Sequence, residues 1–117
     1  MTRLLLSNEK VDAGALSFIS GYHADVVKEV ISAVESNEVV VVGMAQNPFV
    51  GKAKKALTEA GVKFKYLEYG SYFGNWKPRL AIKLWSGWPT YPQVFVKGKL
   101  IGGFTETEKA LKTGQIK

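Results

Sequence analysis

The stretch WPTYPQVFVKGKLIGG at residues 88–103 contains two short runs of strand-forming residues, QVFV and KLIG. The runs flank the pair Lys97 and Gly98. Two such runs separated by a two-residue turn that contains glycine are typical of a β-hairpin. Downstream, Thr105 lies three residues before Glu108, a capping-box pattern that predicts a closing helix ending near Gly114.

A strand, a helix and a second strand precede this hairpin. EVVVVG at 38–43 is a continuous β-branched run, the pattern of a central strand covered on both faces. Asn47 and Pro48 predict the start of a helix over 48–60, because Asn accepts hydrogen bonds from unpaired backbone donors and Pro fits the first turn. The alternation in VKFKYLEY at 62–69 predicts a strand nearer the sheet's edge. Residues 38–69 are therefore predicted to form a βαβ unit, in which the helix connects two parallel strands.

Apolar residues at helical spacing predict the buried faces of the helices. Residues 24–36 form an amphipathic helix with one buried stripe: Val26, Val27, Val30, Ile31 and Val34. The helix over 48–60 ends at Gly61, and its shared face is Phe49, Ala53, Ala56, Leu57 and Ala60. Residues 70–77 are predicted as a loop, after which Pro78 opens a helix that Gly87 ends.

Length and composition predict one domain. The chain has 117 residues, 46% hydrophobic and 22% charged, which is ordinary for a globular protein. No stretch approaches the roughly 20 apolar residues that a membrane-spanning helix needs. The N-terminal MTRLLLSNEK lacks the apolar run of about 7–15 residues of a secretory signal, so a cytoplasmic location and no membrane partner are expected.

Charge and metal-ligand content limit the classes of partner. The formal charge of +6 favours anionic ligands. The densest basic group, Lys52, Lys54 and Lys55, reads as the solvated face of a helix, so no nucleic-acid partner is expected. The chain has no cysteine, and its one histidine, His23, lacks companion ligands. Disulfides, thiolate chemistry and a metal site are therefore not expected.

The element order, βαβ, helix and then ββα, is that of the thioredoxin fold, and the chain resembles the glutaredoxin family from Val39 to about Lys117. The most specific string, residues 88–103, is similar to the glutaredoxin segment that carries a cis-proline, two strands and a double glycine. The resemblance implies that Pro92 is the cis-proline and that Gly102–Gly103 is the double glycine.

The resemblance also implies the fold class and the domain limits. We expect an α/β, thioredoxin-like fold, in which a central βαβ plus ββα sheet is flanked by helices and preceded by an N-terminal helix and extension. The glutaredoxin-like domain would cover residues 23–117. Residues 1–22 would form an N-terminal extension, and the sequence pattern there gives no prediction of secondary structure.

The redox cysteines of the family are missing here. In glutaredoxins a cysteine motif lies between the first strand of the βαβ unit and its helix, where this chain reads NPFV. Asn47 stands at the position of the nucleophilic cysteine and Val50 at that of the second cysteine, while Pro48 and Phe49 keep the intervening pattern. Neither an amide nor a valine carries out thiol chemistry, and an iron–sulfur cluster would lack its thiolate. No cofactor is therefore expected other than weakly held glutathione.

Some glutathione-binding positions of the family are kept. The resemblance implies that Arg79 pairs with a glutathione carboxylate and that the backbone of Tyr91 pairs with the bound tripeptide like an added strand. Gly103 would keep the close-packed turn below the ligand.

Other glutathione-binding positions differ from the family pattern. Met44 replaces a lysine, Phe104 replaces a small residue or cysteine, and Thr105 replaces an aspartate that receives the glutamyl amine. Weakened glutathione binding in an intact groove is expected.

Three hypotheses for function follow. The first is a non-catalytic module that binds a glutathione-like molecule, a peptide or a protein through the residues Asn47, Pro48, Phe49, Arg79, Tyr91, Pro92, Gly102, Gly103 and Thr105. The aromatic loop 69–76 would add to a partner-binding surface, unless half of its aromatic residues complete the core. The second is an oxidoreductase relative whose redox role depends on a partner's thiol. A structural protein without a ligand is a third reading, in which Asn47 is only a helix cap.

Overall fold

The computed structural model describes residues 2–116. Within that range a short 3₁₀ helix at Asn8–Lys10 precedes five α-helices and four strands. The helices are α1 (Ala13–Gly21), α2 (Ala24–Ser36), α3 (Pro48–Glu59), α4 (Trp76–Ser86) and α5 (Phe104–Thr113), and the strands are β1 (Val39–Gly43), β2 (Lys65–Glu68), β3 (Gln93–Val96) and β4 (Lys99–Gly102).

The strands form one mixed sheet in the order β2-β1-β3-β4. Strand β1 runs parallel to β2 and antiparallel to β3, and β3 pairs antiparallel with β4. The predicted βαβ crossover and the predicted hairpin are therefore confirmed, and β2 lies at an edge as expected.

Strand β1 is the centre of a three-layer core. All five of its residues are buried. Val40 and Val42 pack in a cluster with Val30 of α2, and Val41 packs in a second cluster with Leu57 of α3. Because successive side chains of a strand point to opposite faces, the alternating valines join the two helical layers to the sheet.

The hairpin turn uses two residues with left-handed backbone. Lys97 has φ 51° and Gly98 has φ 81°. Positive φ at both central residues matches the right-handed twist of the flanking strands. Glycine adopts this conformation readily, whereas a lysine there is strained.

The buried face of α3 differs from the prediction. Phe49 is 53% exposed, and the buried residues of the helix are Val50, Ala53 and Leu57. The true stripe follows the i, i+3, i+7 spacing from Val50, one residue after the predicted start. Phe49 consequently points away from the core and towards solvent.

Two other predicted boundaries were wrong. Helix α4 begins at Trp76 rather than at Pro78, which occupies the third helical position, where a missing backbone N–H removes no intrahelical bond. Strand β2 begins at Lys65 rather than at residue 62, because the Val62 N–H donates to the carbonyl oxygen of Leu57 and so closes the end of α3.

The cap of the last helix was also assigned to the wrong residues. Helix α5 begins at Phe104 with Gly103 as its N-cap. The Gly103 N–H donates to Glu106 Oε1 at 2.8 Å. Thr105 therefore lies inside the first turn and is exposed, and the predicted pairing of Thr105 with Glu108 is wrong.

The N-terminal residues carry a helix that the sequence pattern did not predict. Helix α1 begins after Asp12, whose carboxylate accepts from the Gly14 N–H at 3.1 Å, and none of its residues is buried. Arg3 Nη1 donates to the carbonyl oxygen of Ser86 at 2.9 Å and so ties this region to the end of α4. None of the described helices is long and apolar enough to cross a membrane.

Two alanine substitutions at glycine should change stability in opposite directions. A Cβ added at Gly51 or at Gly98 meets no atom within 4 Å, so contacts do not separate the two sites. Gly51→Ala should raise the free energy of unfolding by about 0.5–1 kcal/mol, because alanine favours a helix interior. Gly98→Ala should lower it by about 1–2 kcal/mol, because the turn needs positive φ. Urea denaturation of both variants tests this, and equal shifts would contradict it.

Candidate functional site

A groove of about 530 Å³ lies beside the N-terminal end of α3. A volume of this size is typical of small-ligand sites. The predicted site residues that line it are Asn47, Phe49, Arg79, Tyr91, Pro92, Gly103 and Thr105. Pro48 and Gly102 do not line it, whereas Met44 and Phe104 do.

Asn47 closes the end of α3 with its own side chain. Its Oδ1 accepts from the Phe49 N–H at 2.9 Å and from the Val50 N–H at 3.2 Å. Its main-chain oxygen accepts from the Gly51 N–H at 3.2 Å, and Pro48 has no N–H to offer. The predicted N-cap is therefore confirmed. Within residues 2–116 the Asn47 Nδ2 group makes no hydrogen bond to protein, so it is a donor available to a ligand.

Val50 belongs to the core and not to the groove. Its side chain is 2% exposed and packs with Val42 and Ile82. A Cβ at Gly43 would come within 2.6 Å of Val50 Cγ1. Val50 therefore helps to hold α3 against β1.

Arg79 holds the loop above the groove. Its Nη1 donates to the carbonyl oxygens of Tyr69 at 3.1 Å, Gly74 at 3.1 Å and Asn75 at 3.2 Å. The other guanidinium nitrogens make no protein hydrogen bond among the described residues. Arg79 thus combines a structural role with a face that lines the groove, and its pairing with a ligand carboxylate stays a prediction.

Tyr91 and Pro92 also line the groove, and the peptide bond between them is cis. Tyr91 is 7% exposed, and its hydroxyl donates to the carbonyl oxygen of Arg79 at 2.5 Å. Burial raises the pKa of Tyr91 above its ordinary value, an effect that the Arg79 charge opposes. The main-chain N–H and C=O of Tyr91 have no hydrogen-bond partner within residues 2–116. These groups can pair with an extended ligand backbone.

Gly103 allows the chain to pass close to Pro92. A Cβ at Gly103 would lie 3.3 Å from the carbonyl oxygen of Pro92 and 3.7 Å from Trp88 Nε1. The Trp88 Nε1 group is itself buried without a hydrogen-bond partner in the described chain. Gly102 has φ 128°, and a side chain there would collide with Glu106.

The charged groups of the groove favour an anionic ligand. Arg79 and Lys83 supply two cations, and Lys83 Nζ lies 5.5 Å from the centre of the Tyr91 ring. Glu106 is the one anion among the lining residues, and its Oε1 already accepts from Gly103. Lys83 was not predicted from the sequence, although its i+4 spacing from Arg79 places both on one side of α4.

The aromatic loop 69–76 divides into packed and exposed residues. Tyr69 packs against the core, and its hydroxyl donates to the carboxylate of Glu29. Tyr72 is 63% exposed, Phe73 88% and Trp76 57%. Tyr72 alone of these three lines the groove. One of the four aromatic residues of the loop therefore packs against the core, fewer than the half that the alternative interpretation required.

Comparisons with known proteins agree with this architecture. The family model described as Glutaredoxin matches residues 39–101. The glutaredoxin-like protein of Dictyostelium discoideum is 58% identical over 100 residues, which cover 86% of this chain and 81% of that protein. The glutaredoxin of Ricinus communis is 35% identical over 83 residues, 71% of this chain and 81% of the relative.

Solved structures with the same fold include oxidized glutaredoxin 2 from Chlamydomonas reinhardtii, with 30% identity and a TM-score of 0.65 over 78% of this chain and 86% of that one. A buckwheat glutaredoxin–glutathione complex has 22% identity and a TM-score of 0.65 over 79% of this chain and 84% of the other. At that identity the likeness is one of fold alone.

A cysteine placed at position 47 should have a lowered pKa. In Asn47→Cys the Phe49 and Val50 N–H groups lose their amide partner and can donate to a thiolate, which the positive end of α3 also favours. We expect a thiol pKa below the ordinary value of about 8.5. The pH dependence of alkylation by iodoacetamide measures it, and the absence of other cysteines makes the signal specific.

The matched control is Lys109→Cys, which places a thiol on the exposed surface of α5. Equal pKa values in the two variants would show that the end of α3 does not act on a group at position 47.

Proposed function

This chain belongs to the glutaredoxin family and contains no cysteine, and we propose that it is a non-catalytic module that binds an anionic, peptide-like ligand of the glutathione type. The observation that carries the proposal is the unpaired main chain of Tyr91, which lies in a groove with two cations, Arg79 and Lys83. A cytoplasmic location, expected from the sequence, is part of the proposal.

The binding step follows from the groups that are available. An extended peptide can exchange hydrogen bonds with the Tyr91 N–H and C=O, as an added strand does at a sheet edge. Its carboxylates meet Lys83 and the accessible face of Arg79, and one of its carbonyl oxygens meets the Asn47 amide. A buckwheat glutaredoxin of the same fold was solved in complex with glutathione, whereas the proposal for this chain rests on the groups that line its own groove.

The groove offers no route to thiol exchange. An exchange reaction needs an attacking thiolate, and the amide at position 47 is not a nucleophile at neutral pH. Its Oδ1 is occupied by two backbone donors. Val50, at the position of the second cysteine, is buried in the core. The ligand is therefore held and released unchanged.

Binding should be weaker than in a glutaredoxin that keeps the polar anchors of the family. Met44 and Thr105 stand in place of a lysine and an aspartate, so a ligand loses two charged contacts. The exposed Tyr72 at the rim of the groove is available to a larger partner, and we propose a protein or peptide that carries such a ligand group.

Titration with reduced glutathione tests the groove directly. We expect NMR amide shifts concentrated at Thr90, Tyr91 and Gly103. Lys83→Met should weaken binding by about twofold to fivefold, the value of an exposed ion pair, whereas the matched control Lys109→Met on α5 should not. An absence of shifts at these three residues at millimolar glutathione would overturn the assignment of the ligand class.

A reductase assay tests the absence of redox activity. The purified chain should show no glutathione-dependent disulfide reduction above background, because no residue can form the mixed disulfide. The assay is run alone and with added thiol proteins, alongside an active glutaredoxin. Turnover comparable with that control only when a thiol protein is added would favour an oxidoreductase role that depends on a partner's thiol, and such turnover by the chain alone would contradict the proposal.

A further inference from the structure

A second groove lies on the other side of α4, between α1, α2 and α4, and shares no lining residue with the first. Its volume is about 620 Å³, within the range of sites for small organic ligands. Leu80 and Leu84 form one wall, Val27 and Ile31 of α2 form the floor, and Phe18 and Ile19 of α1 form the other wall.

Several apolar side chains that line this groove are largely exposed to solvent. Phe18 is 70% exposed, Ile19 57% and Leu84 67%, while no residue of α1 is buried. Contiguous apolar surface of this kind on a folded protein marks a binding site more often than chance exposure. A ligand that covers these side chains would gain the free energy of removing them from water.

The groove continues along α2 into a second apolar depression. This depression has a volume of about 410 Å³ and shares Ile31 and Trp85 with the groove between α1, α2 and α4. It reaches Leu100 of β4 and Phe95 of β3, whose ring centre lies 5.7 Å from that of Trp85. Together the two depressions form a long channel, here called the α2 channel. Its shape suits a long, thin apolar ligand.

The two charged residues that line the α2 channel favour one orientation of an anionic ligand. Lys28 is the one charged residue among those lining the first depression, and Glu35 is the one lining the second. The two residues are seven positions apart on α2, which corresponds to roughly 10 Å along the helix. Lys28 forms no ion pair within residues 2–116 and is exposed. A carboxylate is therefore attracted to the Lys28 end and repelled from the Glu35 end.

We propose that the α2 channel binds one free long-chain fatty acid, with its carboxylate at Lys28 and its hydrocarbon chain running along α2 past Ile31 and Trp85. The two depressions are concave and share Ile31 and Trp85, so they suit a single chain that lies along α2. The overall charge of +6 adds long-range attraction for an anionic amphiphile. The proposal is independent of the glutathione-type groove.

Calorimetry with tetradecanoate, below its micelle concentration, tests the channel, with NMR amide shifts to locate the site. Tetradecanoate should bind with one site, and more tightly than tetradecanol and tetradecyltrimethylammonium. Lys28→Met should remove the preference for the carboxylate over the alcohol, about twofold to fivefold. Lys109→Met, which removes a lysine on α5, should leave it unchanged.

A charge placed in the channel should block the hydrocarbon chain. Leu84→Glu should weaken tetradecanoate binding by at least about tenfold, because a carboxylate would have to be desolvated against an apolar chain. Leu84 is largely exposed, so the fold should tolerate the change, and Phe73→Glu at an exposed site outside the channel is the matched control. If Leu84→Glu fails to fold, Ile19→Asn on α1 provides the same test.

Several outcomes would overturn the proposal. One is undetectable binding of tetradecanoate, and another is binding that Leu84→Glu and Ile19→Asn leave unchanged. A dimer in light scattering that Leu84→Glu dissociates would show that a second copy covers the channel. Binding to phosphatidylglycerol vesicles without binding of monomeric tetradecanoate would assign the surface to a membrane.

Discussion

The burial of β1 on both faces is the constraint on which the rest of the structure depends. Its four valines leave no polar side chain between the two helical layers, so α2 and α4 must cover one face and α3 and α5 the other. Gly43 ends the strand where a side chain would collide with Val50. This close approach fixes the distance between α3 and the sheet, and it thereby sets where Asn47 enters the groove.

The cap at Asn47 stabilises the N-terminal end of α3 without supplying a thiol. In a glutaredoxin the unpaired N–H groups at this helix end are available to stabilise a thiolate. Here the Asn47 side chain occupies the Phe49 and Val50 N–H groups, as a cap does in any helix. Where the resemblance implies a reactive cysteine, Asn47 therefore supplies a stabilising cap. The remaining walls, built from Tyr91, Pro92 and Gly103, do not depend on that cap.

Local sequence patterns predicted the helices and strands, whereas tertiary contacts determine where some of them begin and which residues cap them. Three patterns each predict an element from a few adjacent residues: the valine run, the Asn47–Pro48 pair and the Lys97–Gly98 turn. The sheet and its connections could therefore be predicted from the sequence. The cap of α5 could not, because Thr105 and Glu108 fit the same pattern as Gly103 and Glu106. Only the position of the helix against the sheet selects between the two.

The role of Arg79 shows the same limit within the groove. The family resemblance implies that the Arg79 charge pairs with a ligand. In the structure, Arg79 Nη1 donates to three carbonyl oxygens of the loop 69–75. No sequence pattern predicts that these carbonyl groups lie close to Arg79. The helical period of α4 then divides its surface. Arg79 and Lys83 face the groove beside α3, while Leu80 and Leu84 face the α2 channel. One helix thus supplies the charged wall of one groove and the apolar wall of the other, so a shift of α4 would alter both.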